Sequence, residues 1–460
     1  MKRRLFLTAA VGLALHSWCN VTLAARGQIV SETTAQQHGL TRPWFSQVAL
    51  DHGAGRLTDL TLFEGVLYAQ TDKAVVHALD AETGRTLWSQ RVGTPGHVST
   101  AIGLNRDLLA ALNGSRLYVL NRLTGEVLLE KNIDGAPGAG PALSAKHVYI
   151  PMTTGMILAY RLDPPEKPKG EAGIEPALTD DETTKPETGP EKPRLRRQLP
   201  PPLSCQSYGK VLVQPLVTRE AVSEEFVAWP TDRGFMNVAR VDRHAEDGMA
   251  LRYRLETGAA IVGRLAYLPP DAKLLGDSGL IIGASRDGFV YVFREKDGEM
   301  LWRFSVGEPI VVSPAVIEDR VYVTVQLGRM HCLAVKTGKE LWVAPGVVQF
   351  VAASKSRVYA TDRIGRLLVL DANSGARLDA IATETLPIKM LNTVTDRIYL
   401  GDDGGLIQCL REVERQQPLI YAKDRTATET EAESAAKPHA AAEKHQPAKK
   451  AAKKKPADDQ

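Results

Sequence analysis

The sequence contains little cysteine. Four of its 460 residues are cysteine, and the first of them, Cys19, falls in an N-terminal segment that we predict to be removed. The three that remain, Cys205, Cys332 and Cys409, are an odd number, which argues against a framework held together by disulfides. We therefore expect the fold to be stabilised by its apolar core.

Long apolar runs are also missing, except near the N-terminus. There the run from Leu5 to Leu15 follows a basic start at residues 1–4 and precedes the small residues Ala24 and Ala25, a pattern typical of a cleaved export signal. The run is too short to span a bilayer. We predict that residues 1–25 are a signal peptide and that the mature protein lies in the periplasm or cell envelope, either soluble or peripherally attached.

The route of export stays open. Arg3-Arg4 followed by Leu5-Phe6-Leu7 resembles the core of a twin-arginine signal, but a basic start produces the same pattern by chance, which favours the Sec route. The residues before Cys19 do not include the small residue that a lipoprotein signal has at that point.

The chain also lacks a strong net charge and the best-known catalytic motifs. Its net charge is +3, so no strong field points to nucleic acid as a partner. It contains no Gly-x-Ser-x-Gly sequence, no phosphate-binding glycine loop and no His-Glu-x-x-His sequence. The commonest hydrolases, nucleotide-binding enzymes and metalloproteases are therefore not indicated.

What the sequence does have is a repeat. Pairs of short apolar strands recur, as in Leu67–Gln70 with Val75–Asp80, and Val321–Thr324 with Met330–Leu333. Their alternation and their Val, Ile and Tyr content favour strands over a helical repeat. A small turn residue precedes an inward-facing residue by four positions in each unit, at Ala74/Ala78, Ser115/Val119, Gly155/Ala159, Gly234/Val238, Gly288/Val292, Gly328/Cys332, Gly365/Val369 and Gly405/Cys409. The steps along this column are about 40 residues, with longer steps from Gly155 to Gly234 and from Gly234 to Gly288, and they predict eight units.

A second turn precedes the last strand of the unit. Glycine suits this turn because it adopts positive φ without steric cost, and it occurs at Gly84, Gly125, Gly298, Gly338 and Gly375. Four short strands with a period near 40 residues are typical of a β-propeller blade. We predict an all-β fold, an eight-bladed β-propeller of four-stranded antiparallel blades, over residues 44–422.

One unit carries a specific motif. The segment from Ala78 to Trp88 resembles the Ala-x-Asp-x-x-Thr-Gly-x-x-x-Trp docking motif of the PQQ-like β-propeller repeat family. Partial copies run from Val292 to Trp302 and from Cys332 to Trp342. The resemblance covers most of residues 45–420.

The resemblance implies structural roles for the residues of this motif. In that family the motif tryptophan packs between neighbouring blades, and a large apolar ring is suited to filling such a seam. The residues to which we assign blade docking are Asp80, Thr83, Gly84, Trp88, Gly298, Trp302, Thr337, Gly338 and Trp342. Leu129 and Asp379 replace tryptophan in other units, so we expect those seams to differ.

Four segments before the C-terminal tail fall outside the regular repeat. Residues 26–43 are an N-terminal extension, and residues 44–50 alternate like a strand that we expect to close the ring on the last blade. Residues 163–202, between repeats three and four, are rich in Pro, Glu, Lys and Thr and are predicted to be a disordered insertion. A shorter excess at residues 268–273 predicts an enlarged loop within the fourth to fifth repeats.

Residues 423–460 form a low-complexity tail that is acidic at first and then rich in lysine. One interpretation is a disordered, solvated tail. The other is contact with anionic lipid or envelope polymer, since clustered lysines are attracted to such surfaces. The lysines concerned are Lys449, Lys450, Lys453, Lys454 and Lys455.

The resemblance also raises the question of a cofactor. Quinoprotein dehydrogenases with such repeats hold PQQ and a calcium ion on the propeller axis, and they have an adjacent cysteine pair and a set of calcium ligands. This chain has no adjacent cysteines and no calcium ligands that we can assign, so we expect no cofactor, no metal and no catalytic residues. His77 and His331 share one repeat position, which we interpret as structural, with partly exposed side chains.

We therefore expect an exported, non-catalytic scaffold that binds envelope proteins or polymer, as in the non-enzymatic, BamB-like branch of the family. The alternative is a PQQ-dependent oxidoreductase or a PQQ-binding sensor with calcium. Nucleic acid is not an expected partner.

Overall fold

The computed structural model describes residues 27–50, 55–162, 199–220, 224–242, 248–270 and 278–421. These residues contain one helix, α1 (Glu32–Gln37), and 32 strands arranged in eight four-stranded sheets. Neighbouring strands within every sheet are antiparallel. The predicted eight-bladed propeller is confirmed.

Each blade uses four strands, numbered here along the chain. Blade 1 comprises β2 (Leu57–Phe63), β3 (Val66–Thr71), β4 (Val75–Asp80) and β5 (Thr86–Arg91). Blade 2 comprises β6 (Gly103–Leu104), β7 (Leu108–Asn113), β8 (Arg116–Asn121) and β9 (Val127–Asn132). Blade 3 comprises β10 (Ala142–Leu143), β11 (His147–Pro151), β12 (Met156–Arg161) and β13 (Leu203–Gln206). Blade 4 comprises β14 (Leu216–Glu220), β15 (Glu224–Pro230), β16 (Phe235–Asp242) and β17 (Met249–Glu256).

The second half of the ring follows the same plan. Blade 5 comprises β18 (Ala266–Leu268), β19 (Leu280–Ala284), β20 (Phe289–Arg294) and β21 (Met300–Ser305). Blade 6 comprises β22 (Ala315–Ile317), β23 (Arg320–Val325), β24 (Arg329–Ala334) and β25 (Glu340–Pro345). Blade 7 comprises β26 (Gln349–Ala353), β27 (Arg357–Thr361), β28 (Leu367–Asp371) and β29 (Arg377–Ile381). Blade 8 comprises β30 (Ile388–Lys389), β31 (Ile398–Gly401), β32 (Leu406–Glu412) and, from the start of the chain, β1 (Leu40–Gln47).

The core lies in the seams between blades. Eight clusters of buried apolar side chains each join two successive blades, including the pair formed by blades 8 and 1. The second and third strands of a blade are covered on both faces, and β7 is buried at every position. This explains why those strands are almost continuously apolar. The outer strands, such as β5, alternate between half-buried and exposed residues.

The ring is closed by the first strand of the described residues. β1 pairs with β32, from Leu40 opposite Glu412 to Gln47 opposite Leu406, which confirms the predicted closing strand. The strand begins at Leu40 instead of Trp44, and α1 precedes it. The predicted extension over residues 26–43 therefore holds a helix and the start of a blade.

The predicted insertion lies elsewhere than expected. Its residues 163–198 are outside the described residues, and β13 follows at Leu203 as the fourth strand of blade 3. The insertion thus interrupts repeat three, between β12 and β13, and does not separate repeats three and four. The enlarged loop predicted at residues 268–273 falls at the end of β18 in blade 5, and its residues 271–273 are outside the described residues.

The turn between the second and third strands follows the predicted column. Six of its glycines have φ between +79° and +91°, and Ala74 takes the same left-handed region at +57°. Blade 2 differs because its hairpin is shorter, so Gly114 and not Ser115 has positive φ (+58°). Antiparallel order places these turns and the connections between blades on one face of the ring. We call this the top face and the opposite one the bottom face.

A buried polar cluster joins blades 3 and 4. The Glu225 carboxylate on β15 accepts hydrogen bonds from Tyr149 Oη at 2.5 Å and lies 3.1 Å from His147 Nδ1, both on β11. Burial on its own would raise the pKa of Glu225, but the hydrogen bonds and the charge of His147 outweigh burial and hold the pKa at about 2. Glu225 is therefore ionised at neutral pH although it is buried between blades 3 and 4.

Candidate functional site

The three docking tryptophans lie at the seams. Each lies on the outer strand of its blade and donates a hydrogen bond from Nε1 to a carbonyl in the next blade. Each ring also faces a glycine that lies three residues after that carbonyl. The pairs are Trp88 with Arg122 O and Gly125, Trp302 with Val335 O and Gly338, and Trp342 with Ala372 O and Gly375.

The other motif residues stabilise the turn between the third and fourth strands of a blade, against which the docking ring of the preceding blade packs. The Asp80 carboxylate accepts hydrogen bonds from the Thr83 N–H at 2.8 Å and the Thr83 hydroxyl at 2.7 Å. In blade 6 the Thr337 hydroxyl accepts from the Lys339 N–H at 3.3 Å. Gly84, Gly298 and Gly338 have φ of +69°, +75° and +66°. A Cβ on Gly338 would lie 2.6 Å from the Trp302 ring, so the ring fits only against glycine.

Two further residues dock a blade in the same way, although the sequence did not predict them. Trp44 on β1 donates to Ala81 O at 3.0 Å and faces Gly84, and the Tyr253 hydroxyl on β17 donates to Glu295 O at 2.6 Å while its ring faces Gly298. Both lie opposite an inward-column residue, Trp44 beside Cys409 and Tyr253 beside Val238. The Asp and Thr of the docking motif do not precede Trp44 or Tyr253. Only the pairing of these residues with the inward column could therefore have indicated a docking role.

The seam between blades 7 and 8 has Asp379 in the position of the tryptophan. Its carboxylate contacts His38 Nδ1 at the end of α1. The chain before α1 occupies the seam: the Gly27 N–H donates to Asp402 Oδ2 at 2.8 Å and the Val30 N–H to Gln408 Oε1 at 3.1 Å. Val30 is buried against blades 7 and 8. The N-terminal residues thus replace a docking ring.

The repeat position of His77 and His331 is buried, contrary to the prediction of partly exposed side chains. The eight residues at this repeat position are all less than a tenth exposed, because the third strand of a blade is covered by the preceding blade. They are His77, Tyr118, Leu158, Asn237, Tyr291, His331, Leu368 and Gln408. Burial lowers the pKa of His77. Within the described residues, no group of three or more His, Cys, Asp or Glu side chains could hold a metal ion.

An opening lies at the centre of the top face. The first strands of successive blades contact one another around the axis, for example β6 with β10 and β18 with β22. The loops that lead into them pack backbone to backbone: a Cβ on Gly138 or Gly140 would collide with the carbonyl oxygen of Val211 or Ala101. A cavity of about 270 Å³ remains, lined by Thr100, Ala101, Gly138, Ala139, Gly140, Leu212, Val213, Gln214, Val262 and Arg264.

Two glutamines hold the wall of this axial cavity in place. Gln70 Nε2 donates to Thr100 O at 3.0 Å, and Gln70 Oε1 accepts from the Ile102 N–H at 3.3 Å. Gln214 Nε2 donates to Ile102 O at 3.0 Å and to Pro141 O at 2.5 Å. The loops of blades 2, 3 and 4 are therefore fixed to one another at the cavity.

Two residues of opposite charge, Asp59 and Arg264, come from opposite blades of the ring and interact electrostatically. Asp59 on β2 belongs to blade 1, and Arg264 precedes β18 of blade 5, which is four blades away in an eight-bladed ring. Burial raises the pKa of Asp59, although the positive charge of Arg264 and the Leu60 N–H oppose the shift. The two side chains form no direct ion pair. Neither residue was singled out by the sequence, because no motif marks them.

The top face also carries exposed apolar side chains. They lie in the connections between blades and in the turns after the second strands, with exposed fractions from 42% to 77%. They are Val98, Tyr208, Leu212, Val262, Leu327 and Ile364. Leu212 and Val262 line the axial cavity as well. Exposed apolar side chains also lie on the outer strands and in a bottom-face turn, but those of the top face lie in loops, which often bind partners.

The axial cavity does not fit PQQ with calcium. PQQ carries three carboxylates, and calcium takes six to eight oxygen ligands. Among the described residues that line this cavity, Arg264 is the one cation, and no carboxylate belongs to the lining. The described chain also contains no helix that is long and apolar enough to cross a membrane.

Comparison with known proteins identifies the repeat. The sequence profile of the family described as outer membrane protein assembly factor BamB matches residues 24–160 and 272–409. No curated protein sequence matches the chain significantly.

Solved structures show the same fold. BamB from Moraxella catarrhalis is similar with a TM-score of 0.56 and 14% identity, over 82% of this chain and 98% of that one. The computationally designed Ika8 protein has a TM-score of 0.52 and 14% identity over 77% and 96% of the two chains. The C-terminal WD40 domain of Sif2 has a TM-score of 0.54 and 13% identity over 81% and 97%.

Proposed function

Because this chain belongs to the family of the outer membrane protein assembly factor BamB, we propose that it is an exported, non-catalytic scaffold. In this proposal it lies in the periplasm or cell envelope and binds partner proteins through its top face. The observation that carries the proposal is the set of six exposed apolar side chains on that face. A rigid propeller can present such loops to a partner without any catalytic residue.

The top face is tested by photo-crosslinking in cells of the source organism. A photoreactive residue at position 327 or 364 is expected to give adducts with a discrete partner, and Leu327→Asp with Ile364→Asp is expected to abolish them at neighbouring top-face positions. Leu123 is the matched control, because it is 66% exposed, like Leu327, but lies in a bottom-face turn. Adducts at position 123 alone, or none at the top face, would refute this orientation.

Export is tested separately. The signal peptide over residues 1–25 lies outside the described residues, and support for it comes from the sequence pattern. Fractionation should place the full chain in the envelope and a variant that lacks residues 2–25 in the cytoplasm. Equal distribution of the two would contradict export.

The tail is proposed to add contact with anionic surfaces through the lysines at positions 449, 450 and 453–455, which also lie outside the described residues. Binding to vesicles that contain anionic lipid should weaken with salt and should fall when residues 424–460 are removed. A variant with these five lysines changed to glutamine is the control for length. Unchanged, salt-sensitive binding after truncation would exclude the tether.

A PQQ-dependent oxidoreductase is the competing activity. Purified protein is incubated with PQQ and calcium, and a bound quinone spectrum together with dye-linked alcohol or sugar oxidation is sought. We expect neither. Stoichiometric quinone binding with turnover would replace the scaffold proposal.

A further inference from the structure

The axial cavity contains a cation that pairs directly with no group of the described chain. The Arg264 side chain is exposed and forms no hydrogen bond or ion pair with any described residue, and only its backbone N–H is occupied, by Ser313 Oγ at 2.8 Å. The Thr100 Oγ1 is buried and has no hydrogen-bond partner within the described chain. Both residues line the cavity. The Arg264 guanidinium, which pairs directly with no described group, is available to a ligand, whereas the buried Thr100 hydroxyl is not exposed to the cavity.

The charges and the lining restrict the chemistry of that ligand. A guanidinium pairs with carboxylate or phosphate through two parallel hydrogen bonds. The negative charge of Asp59, which interacts electrostatically with Arg264, would repel a second negative charge, which disfavours a phosphate dianion or a polyanion. Leu212 and Val262 at the mouth, both exposed, favour an apolar group next to the anion. The combination fits a single carboxylate attached to an apolar chain.

The size of the cavity indicates what can enter. About 270 Å³ lies just below the range of roughly 300–1,000 Å³ that is usual for ligand pockets. The cavity can hold the end or one side chain of a polypeptide, but it cannot hold a folded domain. The remaining exposed apolar residues of the top face, such as Val98 and Tyr208, lie outside the cavity lining and would contact the rest of the segment.

We propose that the axial cavity binds a carboxylate of a partner polypeptide, with Arg264 pairing with the carboxylate and Leu212 and Val262 contacting the adjoining apolar residue. The carboxylate comes either from a C-terminal chain end or from an Asp or Glu side chain. This inference rests on the proposed scaffold function and assigns a chemistry to its partner.

The probes are three fluorescein-labelled hexapeptides of alternating serine and leucine. One has a free C-terminal carboxylate, one is C-terminally amidated, and one is amidated with an internal serine replaced by glutamate. Fluorescence anisotropy with the purified chain is expected to show binding of the free acid at least about tenfold tighter than the plain amide, since a charge-assisted pair contributes that factor or more. If the glutamate peptide binds as tightly as the free acid, a carboxylate on a side chain is sufficient for binding.

Variants separate the cavity from the face as a whole. Arg264→Gln should remove the preference for the carboxylate, whereas Arg264→Lys should keep part of it. Arg286→Gln is the matched control, because Arg286 is an exposed arginine in a top-face turn of the same blade and does not line the cavity. Asp59→Asn should tighten binding of the free acid severalfold and leave the amide unchanged.

Equal binding of acid and amide, absence of peptide binding, or an Arg264→Gln variant that is folded and keeps the full preference would overturn the inference. Each of these results leaves the crosslinking at positions 327 and 364 unaffected. The scaffold proposal is thus tested independently of the cavity.

Discussion

At the scale of single residues, the seams depend on a ring that faces a glycine. Trp342 is 7% exposed, packs on Gly375, contacts Tyr322 with ring centroids 5.9 Å apart, and donates to Ala372 O at 3.0 Å. Burial of a large ring and one hydrogen bond therefore act together at a seam. The two contributions can be separated by substitution.

Trp342→Ala is expected to lower the free energy of unfolding by about 3–5 kcal/mol, because it leaves a cavity between blades 6 and 7. Trp342→Phe keeps most of the apolar contact and loses the hydrogen bond, so a loss nearer to about 1–2 kcal/mol is expected. Urea denaturation of both variants measures the difference. Equal effects of the two substitutions would show that packing of the ring contributes little.

Gly338→Ala tests the glycine against which a docking ring packs. Its φ of +66° is unfavourable for alanine, and the new Cβ would lie 2.6 Å from the Trp302 ring. Gly346→Ala is the matched control, since Gly346 has φ of +78° and nothing within 4 Å of its Cβ position. Both should lose about 1–2 kcal/mol from the backbone, and Gly338→Ala should lose a further ~1–3 kcal/mol from overpacking. Identical urea midpoints would contradict the contact.

At the scale of elements, the segment before β1 fills the seam between blades 7 and 8, where Asp379 has no aromatic ring to pack. Val30→Asp places a carboxylate in an apolar seam, and a loss of more than about 2 kcal/mol is expected. Gln28→Asp introduces the same group at an exposed position two residues earlier and should change stability by less than about 0.5 kcal/mol. Similar melting temperatures of the two variants would show that the segment does not occupy the seam in solution.

The cluster on β11 and β15 gives a pH dependence. The pKa of Glu225 is about 2 in the folded protein against an ordinary 4.5, so its contribution to stability is present above the ordinary value and is lost as the pH falls from about 4.5 towards 2. Glu225→Gln should be less stable than the original chain at pH 7, and the gap should narrow in that acidic range. A gap that stays constant from pH 7 to 3 would contradict an ionised Glu225.

At the scale of the whole molecule, the number of blades was predictable because each repeat builds the same hairpins, whose turn residues recur along the chain. The docking residues of a seam could be predicted only where the residues of the docking motif are present in the sequence. The Asp and Thr of the motif do not precede Trp44 or Tyr253. At Asp379 the missing aromatic ring is replaced by packing of residues from the N-terminal part of the chain. Asp59 and Arg264 come from blades on opposite sides of the axis, so no local pattern could connect them.

The position of β1 has a consequence for the order of folding. Val30 and its partner Gln408 are 378 residues apart along the chain, so a segment that is synthesised before all the blades binds the blade that is made last of the eight. Until then blade 8 lacks its outer strand, and the seam between blades 7 and 8 lacks its packing. We expect ring closure to be the final and slowest step, since contacts of such separation carry the greatest loop-closure entropy. A chain interrupted before blade 8 would leave both ends of the sheet ring exposed to other strands.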